Sequence, residues 1–76
     1  MSEYSRFKLR CRRGMKELDV VLTRYLERDF TTADQQERQL FDQLLELQDP
    51  VLFGILFGTE PTPEAFTRLV EKIRRV

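Results

Sequence analysis

Hydrophobic positions recur along this chain at three- and four-residue intervals and almost nowhere at alternate residues. That spacing predicts helices and no strands. Tyr4, Phe7 and Cys11 mark one face of a short first helix, with Ser2 placed to cap its start. Gly14 breaks the pattern and predicts an end or a bend. Met15, Leu18, Val21, Leu22, Tyr25 and Leu26 then form the apolar stripe of a second helix that fades near Asp29, with Lys16, Asp19, Thr23 and Arg24 away from it. In "TTADQQ", Thr32 precedes Gln35 by three residues, so a capping box at Thr32 is expected to open the third helix. Leu40, Phe41, Leu44 and Leu45 point inward on that helix; Glu37, Arg38, Asp42 and Glu46 point outward.

"QDP" marks the next start, with Asp49 as N-cap and Pro50 at the first helical position. The fourth helix, Val51 to Phe57, is apolar on nearly every side and is stopped by Gly58. Such a helix is either the centre of a bundle or a contact surface, and in a domain this small the central role is expected. Thr62, followed by Pro63, should cap a fifth helix whose stripe is Phe66, Leu69, Val70 and Ile73. The fold class is therefore all-α, a compact bundle of five short helices forming a single domain over residues 1–76. Mostly local contacts favour fast folding.

Composition narrows this further. A chain of 76 residues buries only about 60% of the surface its unfolded form exposes. One cysteine rules out an intramolecular disulfide, and with no histidine the usual metal-ligand clusters are missing. The core must come from aliphatic and aromatic packing, with Cys11 read as part of it rather than as a nucleophile. A lone thiol suits a reducing compartment, so a cytoplasmic location is expected. The longest nearly unbroken apolar run, "VLFGILFG", is far short of the ~20 residues that span a bilayer, and no signal-peptide pattern is visible. Formal net charge is zero but unevenly spread: residues 1–24 are net +4, residues 25–60 net −6 and residues 61–76 net +2. This reads first as a solvated surface that partly follows helix dipoles, and second as an interface with a basic end and an acidic flank.

"CRRGMKELD", Cys11 to Asp19, concentrates the candidate chemistry. One reading is punctuation. Gly14 would be a left-handed C-cap, Lys8, Arg10, Arg12 and Arg13 would sit at the end of the first helix, and Glu17 and Asp19 would sit at the start of the second. Each end effect is worth roughly 0.3–1 kcal/mol. The other reading is recognition. Arg12, Arg13, Lys16 and Glu17 crowd one corner that is expected to be exposed, and a glycine there lets another backbone approach closely. Pairing of Arg13 with Glu17 is conceivable, in the weaker sequence order. Composition alone does not choose between the two.

The stretch, with Arg13, Gly14 and Glu17 as an Arg-Gly-x-x-Glu core, resembles the signature of the SdhE/YgfY family of FAD-assembly factors for succinate dehydrogenase and fumarate reductase. "LERDF" and "LFDQLLELQDPVLFGIL" resemble later parts of the same family, and the likeness covers nearly the whole chain. Two departures stand out. Family members often carry a tryptophan soon after the Leu-Phe pair, where Ile55 lies here, and the sequence stops just after the fifth helix. The resemblance implies a non-catalytic factor that binds the flavoprotein subunit of succinate dehydrogenase or fumarate reductase and promotes covalent FAD attachment to a histidine of that subunit. It implies partner contacts at Arg12, Arg13, Gly14, Lys16, Glu17 and Asp49, with FAD held by the partner and not stably by this chain. With no histidine of its own, this chain cannot be the acceptor. A monomer without nucleic-acid or membrane partners is expected. An antitoxin-like or other helical protein-binding module is the alternative, and a nucleic-acid binder is disfavoured by the acidic middle of the chain. An autonomous enzyme is disfavoured because no pocket can be argued in so small a core.

Overall fold

The computed structural model describes residues 2–75. Five α-helices follow in order: α1 (Glu3–Arg10), α2 (Lys16–Asp29), α3 (Gln35–Leu45), α4 (Asp49–Phe57) and α5 (Thr67–Arg74). Short 3₁₀ turns at Phe30–Thr32 and Glu64–Phe66 precede α3 and α5, and the described residues contain no strand. The all-α expectation and the helical stripes hold. Leu18, Leu22, Tyr25 and Leu26 of α2 meet Phe41, Leu44 and Leu45 of α3 in one core. Leu52, Ile55 and Leu56 of α4 and Leu69, Val70 and Ile73 of α5 complete it.

The centre differs from expectation. The longest helix, α2, is the one on which α1, α5 and the first 3₁₀ turn all pack, while α4 lies against α5. The apolar surplus of α4 is therefore only half used: Leu52, Ile55 and Leu56 are buried, but Val51 is 44% exposed and Phe57 43%. A run of rings joins the first half of the molecule. Phe30 meets Tyr4 and Phe7 edge-on at centroid distances of 5.6 and 5.5 Å, Phe7 meets Phe41 at 5.4 Å, and Phe41 meets Tyr25 at 4.9 Å. Offset and edge-on pairs of this kind add about 0.5–1.5 kcal/mol each beyond area burial.

Local capping chemistry decides some helix ends and tertiary contacts decide others. Ser2 caps α1, its Oγ accepting the Ser5 N–H at 3.1 Å. Gly58 ends α4 in the left-handed region at φ 87°, with the Thr59 and Glu60 N–H groups donating to the Gly54 carbonyl. Thr32, in contrast, does not cap α3. It lies in a 3₁₀ turn and donates to the Asp29 carbonyl, while Asp34 takes the cap and accepts the Glu37 N–H at 2.8 Å. Thr62 does not cap α5 either, because the Glu64–Phe66 turn intervenes and α5 opens at Thr67. Glu37, expected outside, is half-buried: it accepts the Tyr25 hydroxyl and pairs with Lys72 at 2.7 Å.

Candidate partner-binding site

The corner between α1 and α2 is built around two bonds and one backbone conformation. α1 closes early, with the Cys11 N–H donating to the Phe7 carbonyl and the Arg12 N–H to that of Leu9. Gly14 lies beyond this cap, inside the connection rather than at the helix terminus. Its left-handed φ of 83° is as expected, but its place corrects the C-cap reading. The turn is tied from the far side by Asp19, whose Oδ1 accepts the Arg13 N–H at 2.6 Å. A β-carbon on Gly14 would meet nothing within 4 Å, so the glycine faces open space. Steric crowding inside the molecule is not what demands glycine here; the backbone sign is, at a cost of roughly 1–2 kcal/mol for an ordinary side chain.

Arg13 departs most from its sequence reading. Its side chain is only 15% exposed and spans to the α3–α4 turn. Nε pairs with Asp49 Oδ1 at 2.8 Å, Nη1 donates to the Leu45 carbonyl at 2.8 Å and Nη2 to the Leu47 carbonyl at 2.6 Å. A guanidinium at the C-terminal carbonyls of α3 satisfies acceptors the helix cannot satisfy itself and sits at the negative end of its dipole. Asp49 correspondingly is not the N-cap of α4. Gln48 holds that position, Asp49 is the first helical residue and Pro50 the second, and the Asp49 carboxylate is turned to Arg13. Arg13 does not pair with Glu17. The Arg-Gly and Asp-Pro parts of the sequence, 36 residues apart, thus meet as an internal latch.

The remaining candidates face solvent. Arg12, Gly14, Lys16 and Glu17 are all exposed, and among the described residues Lys16 and Glu17 have no ion-pair partner. Beside them lie two apolar residues: Val20, which the sequence reading passed over, and Phe57 of α4, the helix for which a contact surface was the second reading. Val20 is 51% exposed, and with Phe57 it borders a shallow hollow of about 410 Å³ that Lys16, Glu17 and Val21 also line. The available signals were that Val20 lies off the α2 stripe and that α4 has more apolar faces than one core can cover. Exposed apolar residues rimmed by charge mark contact surfaces. Beneath the corner Cys11 is fully buried, and burial pushes its thiol up to about 12 against the opposing pull of Arg13 and Arg10. It is not a thiolate nucleophile at neutral pH. No group of three or more potential metal ligands occurs among the described residues, and no helix there is long and apolar enough to cross a membrane.

Comparison with known proteins gives one consistent picture. Residues 5–76 match the Sdh5 family, described as the flavinator of succinate dehydrogenase. The FAD assembly factor SdhE of Methylococcus capsulatus is 44% identical over 75 residues, covering 97% of this chain and 90% of the relative. That of Coxiella burnetii is 41% identical over 69 residues, covering 88% and 83%. That of Haemophilus ducreyi is 36% identical over 77 residues, covering 97% and 94%.

Proposed function

The chain belongs to the Sdh5 family of succinate dehydrogenase flavinators, and on that premise we propose that it binds the flavoprotein subunit of succinate dehydrogenase, or of fumarate reductase, and promotes covalent attachment of FAD to it. The observation that carries this reading is the α1–α2 corner. An exposed left-handed glycine with open space before it adjoins the exposed Lys16 and Glu17, and the Arg13–Asp49 latch beneath holds the loop in place. A rigid, side-chain-free point lets a partner's backbone come close, and charged groups on either side can bond its polar atoms.

The contribution of this chain is positioning. It has no histidine to accept a flavin and a buried, protonated thiol. The flavin stays with the partner, and this chain acts on the partner's conformation as a monomeric, cytoplasmic factor rather than as an enzyme. Aligning two reacting groups can be worth several kcal/mol of barrier. Arg12, Lys16 and Glu17 serve as direct polar contacts, Gly14 as the point of approach, and Arg13 and Asp49 support them from behind. A nucleic-acid reading gains nothing from this arrangement, because Arg10 and Arg13 are engaged with Asp42, Glu46 and Asp49.

Co-expression of the flavoprotein subunit with and without this chain tests the proposal. Flavin fluorescence that survives denaturation of the subunit should rise several-fold when the chain is present. Equal fluorescence in both cultures overturns it.

A further inference from the structure

We infer that a groove running from this corner to the ends of α4 and α5 receives an apolar segment of the partner that carries a carboxylate, an inference that rests on the flavoprotein-binding reading above. Glu17, Val20, Val21 and Arg24 are spaced i, i+3, i+4 and i+7 and share one side of α2. Two hollows border that side. The one beside the corner holds Val20 and Phe57. The next, of about 270 Å³, is lined by Val21, Arg24, Leu56, Phe57, Ile73 and Arg74. Val21 and Phe57 belong to both, so the two form one continuous groove with an apolar floor and a basic far end.

Arg24 gives the groove its chemistry. Arg13, Arg28, Arg38 and Arg74 each spend their guanidinium on carboxylates or carbonyls of the fold. Arg24 makes no hydrogen bond or ion pair to another described residue, and its Nε, like that of Arg38, is shielded from solvent without an acceptor. A shielded donor left unpaired is costly, and a charged one more so. Arg74, on the opposite wall, uses Nε and Nη2 on the Leu56 and Ile55 carbonyls and adds a second positive charge. The complement of two guanidiniums above an apolar floor is an aliphatic or aromatic side chain next to Asp or Glu. A phosphate backbone fits poorly, because the floor is apolar and the Glu17 carboxylate stands beside Lys16 at the other end.

Binding of the full-length chain to purified apo-flavoprotein, combined with photo-crosslinking, tests the groove. Arg24→Gln should weaken binding about tenfold, the size of a lost charge-assisted hydrogen bond, and Arg24→Glu should weaken it further. Neither should lower the thermal midpoint, since no internal bond is lost. A benzoylphenylalanine photoprobe in place of Phe57 should cross-link to a flavoprotein segment in which an acidic residue adjoins an apolar one. Wild-type affinity in both Arg24 variants overturns the groove while leaving the flavinylation reading intact. So does cross-linking to a second copy, or to a partner segment without a carboxylate. A wild-type chain that neither binds nor raises covalent flavin overturns both.

Discussion

Truncating Arg13 to alanine would strand the Leu45 and Leu47 carbonyls and leave the half-buried Asp49 without its partner. Breaking such a pair from one side costs about 2–4 kcal/mol, because the groups left behind are unsatisfied. Arg13→Lys keeps the charge but loses the planar fork that reaches three acceptors at once, so it should fall between alanine and wild type. Gly14 and Glu17 should behave oppositely. Glu17→Ala is expected to change stability by no more than about 0.5 kcal/mol, as exposed substitutions do. At Gly14 the cost is backbone strain of roughly 1–2 kcal/mol, milder for asparagine than for alanine because asparagine tolerates the left-handed region. Gly14→Arg meets no internal obstacle and should stay folded, yet its side chain would fill the space through which a partner approaches. Urea denaturation paired with flavoprotein binding separates the two groups. Arg13→Ala should shift the unfolding midpoint, whereas Gly14→Arg should chiefly abolish binding. An Arg13→Ala protein of wild-type stability would show that the latch contributes nothing.

Among elements, the recurring device is an arginine from elsewhere in the fold serving the C-terminal carbonyls of a helix. Arg13 does this for α3, Arg74 donates to Ile55 and Leu56 of α4, and Arg28 donates to Lys72 and Arg75 at the end of α5. Removing the Arg28 head group by Arg28→Met should cost about 1–2 kcal/mol. Amide exchange in the last turn of α5 should speed up more than in α2, and equal protection in both variants would show that the cap is idle. The same device explains what the sequence could and could not reveal. The inward stripes were readable because a 3.6-residue period is a local property, and the Ser2 and Gly58 ends were readable because their partners lie within a few residues. Thr32 and Asp49 looked like caps by the same local rule, but one was taken into a 3₁₀ turn and the other was drawn to Arg13. In the candidate site Gly14, Lys16 and Glu17 were legible as an exposed cluster. Arg13 was not legible as a latch, since its partners lie 32 to 36 residues away and pairing at that distance exists only once the helices have packed. Val20 and Phe57 were hidden for the complementary reason: whether an apolar residue is covered depends on which helix ends up central.

At the scale of the molecule part of the uneven charge of the sequence is taken up by internal pairing. The basic first helix lies against the acidic third, with Arg10 bonded to Asp42 and Glu46, Arg13 to Asp49, and Arg38 of α3 returning to Glu3. The core these pairs enclose, in a molecule of 33 × 26 × 23 Å, holds two groups that must stay neutral. Burial pushes the Cys11 thiol up from 9.0 to about 12. Burial, followed by its hydrogen bond to Glu37, pushes the Tyr25 phenol above its ordinary value of 10.0. In both cases the folded chain holds its proton to higher pH than the unfolded chain does. The stabilisation is therefore fully present below the unfolded values and is lost as pH climbs: from about 9 for Cys11, and from about 10 for Tyr25. Within its window each group can remove up to ~1.4 kcal/mol per pH unit. Urea midpoints should be level between pH 7 and 8.5 and then fall with increasing slope. Cys11→Ala should flatten the first part of that fall and Tyr25→Phe the later part, even though each substitution lowers the plateau. Native protein at pH 7.5 should also react with a maleimide only as fast as it unfolds. If both variants trace the wild-type slope, the alkaline loss comes from elsewhere and the buried thiol and phenol are not its cause.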